Sequence, residues 1–141
     1  MKPLAVGLLI SLALLFSPAA VLAQSGLTAE QALAQELESL RPQLPITSPN
    51  GVVHFHAFLH GKTVYHFYLI PVPFERMTQA QIGHLQNTMQ QDVLKAGCAV
   101  PNLQTIMRAG GTYRFQYFSA DFHFLTEVEM NQALCQALAP Q

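Results

Sequence analysis

Between Gly51 and Ile70 the chain reads GVVHFHAFLHGKTVYHFYLI. Two runs rich in β-branched and aromatic residues flank His60-Gly61-Lys62-Thr63. Glycine at the first central position suits a two-residue type II′ turn, so the stretch reads as a β-hairpin. That turn pairs His60 with Thr63, Phe58 with Tyr65, His56 with Phe67 and His54 with Leu69. Strict alternation then puts Val53, Phe55, Ala57, Leu59, Val64, His66, Tyr68 and Ile70 on a core face. His54, His56, Phe58, His60, Thr63, Tyr65, Phe67 and Leu69 fall on the other, mixed face.

A second hairpin is expected in TYRFQYFSADFHFLTEVE, with its turn centred on Ala120-Asp121. It places Tyr113, Phe115, Tyr117, Phe124, Thr126 and Val128 on one face. Arg114, Gln116, Phe118, His123, Leu125 and Glu127 take the other, with Arg114 opposite Glu127 as a cross-strand ion pair. Helices should separate and flank the hairpins. Thr28 and Gln31 form a capping box before Leu33, Leu37 and Leu40, and Pro42 stops that helix near Arg41. Thr78 and Gln81 form a second box before Ile82, Leu85, Met89 and Val93. Gly97 sits where a helix C-terminus would place a left-handed residue. A short helix begins at Pro101 and ends at Gly110-Gly111, and a last one carries Leu134, Cys135 and Leu138. The order α-ββ-α-α-ββ-α predicts an α+β fold, a four-stranded antiparallel sheet covered by helices.

The start of the chain belongs to export. Met1-Lys2, the apolar run LAVGLLISLALLF and the small residues of VLA describe a signal peptide over residues 1–23, cut before Gln24. No lipobox cysteine follows, so a lipid anchor is not expected. Residues 24–141 then form a single domain in the periplasm or outside the cell, with no further membrane span. That segment has six Lys and Arg against eight Asp and Glu and no basic run, which argues against nucleic acid as a partner. Cys98 and Cys135, an even pair in an exported chain, should form one disulfide closing a loop of 37 residues.

The pattern Cys98…Gly110-Gly111…Tyr113…Tyr117…Asp121…Cys135, behind a signal peptide and a helix–hairpin–helix, resembles small exported proteobacterial proteins of unassigned function. One group is named for quorum-sensing-regulated virulence. The pilotins of type II secretion are also similar; pilotins are commonly lipoproteins, and the missing lipobox departs from that pattern. The resemblance implies an exported, disulfide-bearing accessory protein and supplies no catalytic residue.

Candidate chemistry is sparse. His54 and His56 on one strand face stand about 7 Å apart, close enough to share Zn²⁺ or Cu²⁺ if further ligands arrive. His123 is the best third ligand and Glu127 a distant fourth. The plainer reading is that these histidines decorate a half-covered sheet; His66 is expected in the core and His84 on the polar side of its helix. No Gly-x-Ser-x-Gly, phosphate-binding loop or well-placed carboxylate pair is present, so an enzyme is not expected. The aromatic residues say more. Phe58, Tyr65, Phe67 and Phe118, rimmed by His54, His56, His123 and Arg114, make a candidate surface for a protein or small ligand unless the first helix covers it. The leading expectation is a non-enzymatic exported binding protein. A periplasmic metal-binding protein and a small inhibitor or immunity protein are the alternatives.

Overall fold

A computed structural model describes residues 26–138. The expected signal peptide and its expected cleavage site lie outside them. Helix α1 (Ala29–Leu40) leads into a 3-10 turn and a two-residue strand, β1 (Ile46–Thr47). Strands β2 (Val53–His60) and β3 (Thr63–Leu69) form the first hairpin. Helices α2 (Gln79–Cys98) and α3 (Pro101–Arg108) follow, then the hairpin β4 (Thr112–Phe118) and β5 (Phe124–Met130). Helix α4 (Gln132–Leu138) closes the described chain.

Both capping boxes form as the sequence specifies. Thr28 Oγ1 accepts from the Gln31 amide at 3.2 Å while the Gln31 side chain accepts from the Thr28 amide at 3.0 Å. Thr78 and Gln81 repeat the exchange at 3.1 and 2.9 Å. Each box satisfies two amides that a helix start would otherwise leave unpaired. Gly61 adopts φ 59°, the left-handed geometry the first turn required. The disulfide Cys98–Cys135 is present.

The sheet differs from the expected one. It has five strands in the order β1-β2-β3-β4-β5, and β3 and β4 run parallel. The two-helix crossover α2–α3 carries the chain back to the starting end of the sheet, so β4 must run in the direction of β3. The fifth strand, β1, comes from the proline-studded linker and pairs antiparallel with Val53 and His54 alone.

All the core-forming helix residues meet one face of this sheet. Leu33, Leu37 and Leu40 of α1, Met89, Val93 and Leu94 of α2, and Leu103, Ile106 and Met107 of α3 pack on Ala57, Val64, Tyr68, Tyr113, Phe115, Tyr117 and Val128. Ile82 and Leu85 of the expected stripe are only half-buried. Gly97 lies inside α2 rather than past its end, and a Cβ there would overlap the Met130 thioether, so close packing rather than a left-handed cap calls for glycine.

Candidate functional site

Two local irregularities decide which side chains reach the other face. In the first hairpin the expected pairs His60–Thr63, Phe58–Tyr65 and His56–Phe67 are observed, but the register shifts between His56 and His54. Phe55 is the extra residue of this bulge, so His54 pairs with Tyr68 instead of Leu69. The alternation inverts beyond it. His54 turns into the core, 4 % exposed, and Phe55 turns out. This corrects the placement of both residues and removes His54 from the candidate surface.

In the second hairpin the turn is wider than expected, and pairing moves by two residues. Arg114 faces Glu129 and Gln116 faces Glu127. A two-residue shift preserves faces, and Arg114 still reaches both carboxylates, Glu127 at 3.3 Å and Glu129 at 3.0 Å. A second bulge follows, because Tyr117 pairs with Thr126 while Phe118 pairs with Phe124. Leu125 is therefore buried and Phe124 is exposed, the reverse of their expected places.

The helix-covered face holds an unusual polar seam. His66 Nδ1 and His54 Nε2 hydrogen-bond at 3.1 Å, and the His54 ring stacks on Tyr68 at 4.4 Å. Burial pushes His54 down to about 4, against an opposing hydrogen bond with the His56 backbone, and pushes His66 down to about 3. Across the seam the Tyr113 hydroxyl donates to Glu36 of α1 at 3.1 Å. Burial raises the Glu36 carboxyl to about 7, the bond to Tyr113 opposing it in part. Both imidazoles are thus held neutral by the core that covers them, and the carboxyl is protonated below about pH 7.

The opposite face receives no core-forming helix residue among the described residues. Phe58 stacks on Tyr65 at 4.7 Å and on Phe67 at 5.7 Å, and Phe67 stacks on Phe118 at 6.1 Å. The exposed His56 lies 5.6 Å from Phe67. Arg114 stands over Tyr65, 5.9 Å from the ring centre. The bulges add two aromatic rings: Phe55 meets Phe118 at 6.3 Å, and Phe124 meets Phe118 at 5.8 Å. Phe122 meets Phe55 edge-on at 5.7 Å. Of the candidate surface residues, His56, Phe58, Tyr65, Phe67, Arg114 and Phe118 are brought together, and Phe55, Phe122 and Phe124 join them. A strictly alternating pattern gave no signal for these three.

His123 is elsewhere. It sits in the β4–β5 turn, its ring stacked on Phe74 at 4.8 Å and paired with Asp121 at 3.1 Å. Asp121 also accepts from Ser119 Oγ at 2.6 Å and from the Phe74 amide at 2.9 Å, and these bonds hold its carboxyl down at about 2. Ser119 Oγ is therefore occupied in bracing the turn. Phe122, at the tip, is 63 % exposed with φ 64°. A bulky residue in that region costs about 1–2 kcal/mol, and the braced turn holds it there.

The histidines considered as alternative metal ligands are separated: His54 lies in the core, His56 on the open face and His123 in the turn. Among the described residues no group of three or more His, Cys, Asp or Glu could hold a metal ion. No helix among them is long and apolar enough to cross a membrane.

No protein-family profile matches the chain, and no curated protein sequence matches it significantly. Similarity appears at the level of fold. A Pseudomonas aeruginosa protein classed as secreted, PA3611, superposes with a TM-score of 0.63 at 5% identity, over 76% of this chain and 92% of that one. The type II secretion system pilotin AspS from Vibrio cholerae gives 0.59 at 15% identity, over 76% and 92%. The pilotin EpsS of the Vibrio vulnificus type 2 secretion system gives 0.60 at 15% identity, over 80% and 94%. The chain therefore shares the fold of small proteins from secretion systems and of a protein classed as secreted.

Proposed function

We propose that this chain is an exported, non-enzymatic accessory protein that binds another protein through the open aromatic face of its sheet. The observation that carries this reading is the contiguous run Phe58, Tyr65, Phe67, Phe118 and Phe55 on a face that no helix of the described residues covers. Large aromatic clusters rimmed by polar groups are the usual chemistry of protein recognition surfaces. The fold neighbours, two of which are pilotins, support an accessory role in or after export. A virulence association is the finer form of the same reading.

One observation favours a second form. Phe122 projects from a braced turn in a strained conformation, which suits an inhibitor that inserts a rigid knob into a partner's cleft. The two forms share the surface and differ in the partner.

The test is site-specific photocrosslinking in cells that export the protein. Phe58→p-benzoylphenylalanine and Phe67→p-benzoylphenylalanine should each yield the same discrete adduct. Gln90→p-benzoylphenylalanine, on the exposed side of α2, should yield none. Absence of an adduct from both sheet positions, with normal protein levels, contradicts the reading.

A further inference from the structure

Away from the aromatic face, three sulfur-bearing side chains converge where α2, α3 and α4 meet. The disulfide joins Cys98, the last residue of α2, to Cys135 in α4. The Cys135 Sγ lies 3.9 Å from Met107 Sδ of α3. Met107 is 2 % exposed. Met130, the last residue of β5, is fully buried, and its thioether packs directly on Gly97, the residue before Cys98. Both cysteines are partly exposed, and α4 contributes no buried side chain. A solvent-reachable disulfide therefore sits against the inward Met107 thioether.

That grouping has a specific chemistry. Thiolate and thioether sulfurs together are soft ligands that select Cu(I) over hard cations. Metal–sulfur bonds of about 2.3 Å hold two sulfurs roughly 3.8–4.0 Å apart in four- or three-coordinate geometry. The Cys135–Met107 separation already falls in that range. In the disulfide form the cysteine sulfurs are bonded to each other and supply no thiolate, so the set is incomplete until the bond is reduced.

We propose that the reduced form of this protein binds one Cu(I) ion through the Cys98 and Cys135 thiolates and the Met107 thioether. Opening the site is thiol–disulfide exchange. A dithiol of an exported oxidoreductase attacks one sulfur to form a mixed disulfide, and its second thiol resolves that intermediate. The reductant leaves as a disulfide, and Cys98 and Cys135 become thiols. Cu(I) then displaces both thiol protons and is held as the bis-thiolate. The site lies on the helix side of the sheet and does not depend on what binds the aromatic face.

The test is anaerobic competition with bathocuproine disulfonate, using protein reduced by dithiothreitol and then desalted. Circular dichroism establishes that each form remains folded. The reduced protein should withdraw one equivalent of Cu(I), and the disulfide form none. Met107→Leu, close in size and shape, should weaken binding at least tenfold; Cys98→Ser should abolish it. X-ray absorption of the loaded wild type should count three sulfur scatterers, a reading that needs no variant to fold. No withdrawal by the reduced wild type, equal withdrawal by the disulfide form, an unchanged affinity in Met107→Leu, or a count of two sulfurs would each overturn the proposal.

Discussion

The two faces of the sheet are built from nearly the same residues and have opposite fates. Under the helices lie His54, His66, Tyr68, Tyr113, Phe115 and Tyr117. On the open side lie His56, Phe55, Phe58, Tyr65, Phe67 and Phe118. Composition does not distinguish them; cover does. Beneath α1, α2 and α3 an imidazole loses its charge and an aromatic ring loses its freedom. On the other side similar rings are left half-exposed and able to meet a partner. What separates the faces is where the helices' leucine and methionine stripes land, and where two bulges invert the alternation.

The largest expected effect sharpens this contrast. Phe115→Ala, which empties a position 1 % exposed, should cost about 3–5 kcal/mol in denaturant melts. Phe67→Ala on the open face leaves a half-exposed gap and should cost about 1–2 kcal/mol. Equal costs would mean that the open face is covered in solution.

The polar seam gives the next effect. His54 and His66 have folded values below that of a free imidazole, so the stability they contribute above pH 6.5 is lost as pH falls toward 4 and 3. Glu36 acts in the opposite sense: its folded value is raised to about 7, so its contribution is full below pH 4.5 and is lost as pH rises through 7. Between pH 7 and 4.5 the three should combine to a net loss of about 2 kcal/mol on acidification. Glu36→Gln removes the opposing contribution and should more than double that loss. A pH-independent Glu36→Gln phenotype would place the carboxyl in solvent.

The smallest effect is at the turn. Phe122→Gly relieves the left-handed strain at the cost of a more flexible unfolded chain, for a gain of about 0.5 kcal/mol. A loss above 1 kcal/mol would mean that the Phe122 ring packs more tightly than its exposure indicates.

Much of this was legible in the sequence where a local rule decides the outcome. The boxes Thr28–Gln31 and Thr78–Gln81, the turn at Gly61 and the Cys98–Cys135 pair each depend on a few neighbouring residues or on compartment. The parallel β3–β4 junction was not, because it depends on how a two-helix crossover packs. The bulges at Phe55 and Leu125 were also hidden. Each follows from three-dimensional fit, and a single inserted residue reverses every face assignment beyond it. His123 was misplaced for a related reason: Ser119 and Asp121 close a wider turn than the two-residue one, taking His123 off the strand.

The most direct measurement sets His54→Ala beside Phe55→Ala in denaturant melts. The bulge puts His54 inside, hydrogen-bonded to His66, and Phe55 outside. His54→Ala should therefore be the costlier change, at about 2–4 kcal/mol, and Phe55→Ala should stay near 1–1.5 kcal/mol. A harmless His54→Ala with a Phe55→Ala cost of 3 kcal/mol or more would restore strict alternation and contradict the division of the sheet into a sealed face and an open one.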